Sequence, residues 1–230
     1  DAAGGGDDMY YGGDASKWIK AANSLKKKAY LNMGNSSAYN GVTNYISSAA
    51  DDFQFSWGVN EAQPDTRHPY YGGSYTPTGG GYYMANWFMH TLQQGHGGVG
   101  DPRIFYYFYR QVQNVPGFGI DADEEVLECG LDNYYNPYAN LAPPLNAVFC
   151  GLNGGYWGRD HGNDNGIPPD GFQRTLHGVY PAGGKYDDRS YSSQKNGAGA
   201  GGRGITPIML SSWMHFMDAE VAGVGTAAGT

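Results

Sequence analysis

The chain has 230 residues, 14 of them basic and 22 acidic, for a net charge of −8. That balance excludes a nucleic-acid binder, because phosphates require a basic face. No apolar run approaches the ~20 residues of a membrane helix, and 38 glycines with 12 prolines stop just short of low-complexity disorder. With 20 tyrosines and 5 tryptophans, the composition describes a folded, loop-rich protein that turns on glycine and packs on aromatic rings. The chain opens Asp1-Ala-Ala-Gly-Gly-Gly without an initiator Met or a signal peptide, and reads as a mature form or a piece of something larger.

After an irregular Gly/Asp-rich start, the spacing predicts a helix over 15–33. Trp18, Ala22, Leu25, Ala29 and Met33 form its apolar stripe. Asp14 or Ser16 caps it, and Gly34 stops it. Lys20, Lys26, Lys27 and Lys28 lie mostly off the stripe and read as a solvated face. A shorter helix is expected over 42–50. Residues 51–81 read as loop, with Phe55, Trp57, Tyr70, Tyr71 and Tyr75 among prolines. A second long helix is predicted near 82–94, with Met84, Trp87, Phe88, Thr91 and Leu92 as a core stripe and Gly95 as its stop. Residues 101–110, rich in β-favouring aromatics, read as a short strand. The last helix is predicted near 207–222, capped by Thr206, with Pro207 in its first turn. Its buried face is Met209, Trp213, Phe216 or Met217, and Val221.

Residues 154–188 carry no period of 2 or 3.6, and Gly, Pro, Asn and Asp punctuate them every few positions. A loop this long in a compact domain is either functional or disordered. Its Tyr156, Trp157, Ile167, Phe172 and Tyr180 carry more apolar surface than a solvated linker needs. It therefore reads as an ordered loop assembly and the functional part of the molecule. Cys129 and Cys150, the only cysteines, are too few for a metal site and are expected to form a disulfide that clamps the loop between them, the alternative being two free thiols. A disulfide would place the chain in an oxidising, extracytoplasmic compartment.

Several motifs together resemble a known family. They are Tyr11-Gly-Gly-Asp14 leading to Lys17-Trp18 and Ala22-Asn-Ser-Leu25, then Gly100-Asp-Pro-Arg103, Gly155-Tyr-Trp-Gly-Arg-Asp-His-Gly162 and Gly166-Ile-Pro-Pro-Asp-Gly171. Val179-Tyr-Pro-Ala-Gly-Gly184 and a terminal Asp218-Ala-Glu220 complete the set. In that order they are similar to the SusD/RagB-type nutrient-binding lipoproteins of the Bacteroidetes outer membrane. The resemblance implies a mainly α fold of tetratricopeptide-like helices with long irregular loops, here a single domain over 1–230 that is an incomplete part of a larger one. It implies a ligand or partner face built from loops over 113–204. It further implies a lipid anchor at an N-terminal Cys outside this sequence, a place on the cell surface at the outer membrane, and a SusC-like TonB-dependent barrel as partner.

Aromatic rings stack on sugar faces while polar side chains orient hydroxyls. Tyr156, Trp157, Arg159, His161, Arg174 and Tyr180 offer that mixture and are the expected ligand-binding residues. The alternative for each is packing within the loop. No cofactor is expected. Asp160 with Asn163-Asp164-Asn165-Gly166 has the oxygens for a structural calcium, but lacks the EF-hand spacing and reads first as a self-stabilised turn. The rival functions are a glycoside hydrolase, using a pair among Asp160, Asp164, Asp170, Asp187, Glu124 and Glu125, and a structural surface protein. No nucleophile elbow, phosphate loop or zinc signature appears. The expected function is non-catalytic capture of an oligomeric nutrient, glycan or peptide, for delivery to the barrel.

Overall fold

The computed structural model describes residues 7–76, 81–116, 119–120, 151–159 and 173–223. In chain order the elements are α1 (Ala15–Asn32), α2 (Ser36–Asn40), β1 (Phe53–Ser56), α3 (Pro69–Ser74), α4 (Asn86–Gln94) and α5 (Ile104–Tyr107). Then come β2 (Phe108–Tyr109), β3 (Val115–Pro116), β4 (Gly119–Ile120), β5 (Gly151–Leu152), β6 (Tyr156–Trp157), β7 (Leu176–His177), β8 (Ile205–Met209) and α6 (Ser211–Val221). Helix accounts for 34% and strand for 13% of the described residues, which overturns the expectation of a mainly α, tetratricopeptide-like fold. Such a layer needs paired helices of matching length, whereas α1 has 18 residues and α2 only 5. Gly41 and Gly95 end α2 and α4, and among the described residues the strands join in four separate two-stranded ladders. No helix among the described residues is long and apolar enough to cross a membrane.

The chain divides into two compact units, Asp1–Ser56 with Ile205–Thr230, and Trp57–Gly204. In the first, Asp14 caps α1 by accepting from the Ser16 and Lys17 amides. The predicted apolar stripe is displaced. Ala21, Ser24 and Lys27 are the buried positions of α1, while Trp18, Leu25 and Met33 are exposed. Lys27, expected in solvent, is 3% exposed. Its ammonium lies 3.8 Å from the Tyr39 ring centre, 4.1 Å from that of Tyr45 and 3.4 Å from the Asp218 carboxylate. The helix expected over 42–50 is instead α2, followed later by a single 3-10 turn at Ala49–Asp51.

Antiparallel pairing of β1 with β8 corrects the last predicted helix as well. Thr206 and Pro207 belong to that strand and cap nothing; in a two-stranded ladder every strand is an edge, where proline is tolerated. Helix α6 begins at Ser211, whose amide donates to the Asp52 carboxylate at 2.6 Å. Met209 and Met214 are buried with Ala21 and Ile46, but Trp213 and Phe216 are exposed, Phe216 to 71%.

The second unit has two aromatic-rich cores. Met84, Met89, Leu92, Ile104, Phe108, Leu152 and Tyr156 make one, and Tyr71, Tyr75, Tyr109, Leu176 and Ala182 the other. Helix α4 starts later than predicted because 83–85 is extended. The Asn86 amide donates to the Arg159 carbonyl, and the Arg159 amide to that of Met84, each at 2.9 Å. Trp87 and Phe88, expected in the core, are exposed. The strand expected over 101–110 is half helix: α5 turns first, and only β2 pairs, antiparallel to β7. Gly155, at φ +88°, lies so close to the Val112 carbonyl that any side chain would collide with it.

Candidate functional site

The loop stretch 154–188 is stitched to its surroundings wherever it is described. Thr175 and Trp157 exchange two hydrogen bonds, from the Thr175 amide to the Trp157 carbonyl and from the Trp157 amide to the Thr175 hydroxyl, each at 2.8 Å. The Gly178 amide donates to the Tyr107 carbonyl at 2.7 Å, and the Tyr180 amide to that of Tyr106 at 2.9 Å. These bonds hold β7 beside β2 and bring His177 under a cluster of rings contributed by α3, α4 and α5.

The result is a cavity of 340 Å³ within the second unit. His177 and Phe108 come from the ladder. Tyr70 stands on α3, Phe88 on α4 and Tyr107 on α5, with Tyr82 and Tyr83 on the extended approach to α4. The His177 ring lies flat on Tyr70, centroids 4.7 Å apart and planes at 13°. Tyr82 meets both edge-on at 6.2 Å, and Phe88 meets Tyr107 edge-on at 5.6 Å. Tyr70, Tyr82 and Phe88 are each more than 40% exposed, so ring faces that no core needs remain at the surface. Gly73 makes room for Tyr82, because a Cβ there would land inside its ring.

His177 is the polar centre of the groove. Burial, helped by the charge of His68, pushes its pKa down to about 4, so it is neutral at pH 7. Nδ1 shares a 2.7 Å hydrogen bond with the Ser74 hydroxyl, and Nε2 takes the complementary role, donor or acceptor. Such a site, aromatic walls around a buried imidazole, can hold a ring-shaped ligand by stacking and directed hydrogen bonds.

The expected ligand-binding residues divide three ways. Tyr156 and Trp157 are buried, Trp157 to 1% exposure, and their rings belong to packing. Arg159 and Arg174 come together on the ring of Tyr83, at 4.3 and 4.2 Å from its centre, behind the groove wall. Tyr180 braces the wall from outside, edge-on to Tyr107 at 5.3 Å. His161 lies outside the described residues, as do the calcium-like run 160–166, Cys129, Cys150 and the carboxylates Asp160, Asp164, Asp170, Glu124 and Glu125. Of the candidate catalytic acids only Asp187 is described, and it is buried in an ion pair with Arg110.

Sequence reasoning passed over Tyr70, Ser74, Tyr82 and Tyr107 as groove residues. The signal was the density of tyrosines over 70–83, set among glycines where no helical stripe requires them. No protein-family model matches the chain, and no curated protein matches it.

Proposed function

We propose that the protein binds an oligomeric nutrient without altering it, as a SusD-like surface protein that hands its ligand to a TonB-dependent outer-membrane barrel. The observation that carries this reading is the groove of half-exposed rings around His177. Its contents suit capture: stacking faces and one neutral imidazole. The resemblance of Gly100-Asp-Pro-Arg103 and Gly155-Tyr-Trp-Gly-Arg-Asp-His-Gly162 to the SusD/RagB lipoproteins supports the class of function and the partner.

Titration of the purified chain with panels of oligosaccharides and oligopeptides tests it, with the ligand recovered and sized by mass spectrometry. Saturable binding with the ligand returned intact is the expected result. Return of shortened fragments would replace capture with glycoside or peptide hydrolysis.

A further inference from the structure

A second cavity in the same unit, of 490 Å³, lies over the guanidinium of Arg110. The Arg110 side chain is 7% exposed. Nε donates to the Asp187 carboxylate and Nη1 to the Gly154 carbonyl at 2.6 Å, while Nη2 is buried and has no partner among the described residues. Rings stack about the cation, Tyr156 at 4.6 Å, Tyr191 at 5.1 Å and Phe105 at 5.6 Å from its central carbon. A buried charged donor left without an acceptor is costly, and native structures rarely tolerate it without a use.

The rim adds a second cation. Arg189 is exposed, lies 4.9 Å over Phe105, and forms no ion pair among the described residues. Arg189 and Tyr191 are also the two non-glycine residues with positive φ among those described, at 61° and 50°. Both border this one cavity. Backbone held in that region by its surroundings concentrates at ligand sites. The carboxylate of Asp187, which pairs with Arg110, also accepts from the Arg189 amide at 2.9 Å, so one buried acid sets the position of both arginines.

We infer that this cavity takes the carboxylate of a sugar acid, one oxygen on Nη2 of Arg110 and the other on Arg189. Two guanidiniums match a planar carboxylate. The remaining polar lining includes Asp101, whose carboxylate pairs with Arg103 and keeps lone pairs to spare, Gly154, whose carbonyl accepts from Arg110, and Gln93, whose amide nitrogen donates to the Asn153 carbonyl. Acceptors repel a bare phosphate or sulfate but welcome hydroxyls, and a uronate carries its hydroxyls on the same ring as its carboxylate. A peptide carboxylate brings no such cluster of donors. The inference rests on the reading of the protein as a nutrient binder and narrows the nutrient to an acidic glycan.

The test is calorimetric titration of the whole chain with a short oligogalacturonate, with the neutral galactose oligomer of the same length, and with an acidic peptide. The oligogalacturonate is expected to bind at least tenfold more tightly than either of the others. Arg189→Gln should remove that advantage with the melting temperature unchanged. Arg110→Lys, which keeps the charge facing Asp187 but lacks Nη2, should weaken the acidic ligand about tenfold in any preparation that melts like wild type. Equal affinity for acidic and neutral oligomers would overturn the inference and leave nutrient capture standing. Preference for the peptide, or an advantage that survives Arg189→Gln, would overturn it as well. Binding of none of the three would overturn it too, and nutrient capture would then stand or fall on the oligosaccharide and oligopeptide panels.

Discussion

His177 lies flat on Tyr70, ring centres 4.7 Å apart, with its Nδ1 held by Ser74 at 2.7 Å. The imidazole therefore serves as both a stacking surface and a hydrogen-bonding group, and burial keeps it uncharged at neutral pH, with a pKa of about 4.

That lowered pKa makes stability depend on pH in a definite direction. Between pH 6.5 and about 4 the unfolded chain binds a proton at His177 that the folded chain refuses. The contribution is complete above 6.5 and is lost as pH falls through that window, by on the order of 3 kcal/mol. Urea unfolding at pH 7 and pH 4.5 should show His177→Gln losing markedly less stability than wild type on acidification. Parallel losses in the two proteins would place the acid sensitivity elsewhere.

Lys27 and Asp218 form the polar centre of the first unit. Asp218 also accepts from the hydroxyls of Tyr39 at 2.7 Å and Tyr45 at 3.1 Å. Burial and then the Asp218 hydrogen bond raise the Tyr39 pKa, so that hydroxyl remains a donor. Lys27→Met should cost about 2 kcal/mol, because it strands a half-buried carboxylate. Adding Asp218→Asn should recover part of that loss, a coupling that a double-mutant cycle of unfolding free energies reads directly. Strict additivity would mean that the pair does not interact.

Trp157→Ala separates scaffold from site. The ring is buried, so the substitution should lower stability by about 3–5 kcal/mol, whereas Trp157→Phe should lose much less. Chemical denaturation checks both. A stable Trp157→Ala protein with weakened ligand binding would instead make the indole part of the binding surface.

Gly73→Ala acts on the groove by displacing one of its rings. The new methyl occupies the place of the Tyr82 ring, and that side chain, 45% exposed, can swing outward at little cost. Alanine also suits helix α3 better than glycine. Thermal melting should be unchanged or slightly raised while ligand affinity falls. A parallel fall in both would show that Tyr82 is structural.

Local features were legible in the sequence, and long-range ones were not. The Asp14 cap of α1 and the Gly95 stop of α4 depend on neighbouring residues, and both are where their chemistry puts them. Helix α6 was displaced because Thr206-Pro207 suits a helix start and an edge strand equally; only the pairing of Phe53 with Met209 decides, and no local pattern shows it. Among four lysines on α1, burial of Lys27 follows from Tyr39, Tyr45 and Asp218 arriving around it. The groove was hidden for the same reason. His177 reads as one more loop histidine until α5 and β2 bring Tyr107 and Phe108 beside it, and α3 brings Tyr70 and Ser74.

Capture through the groove is tested most directly by measuring the affinity of Tyr82→Ala for whichever oligomer the wild-type protein binds, alongside its melting temperature. Loss of one stacked ring is worth about 1 kcal/mol or more, so affinity should fall roughly fivefold or further with melting unchanged and the ligand still recovered intact. Undiminished affinity in a normally folded Tyr82→Ala protein would contradict binding in the groove.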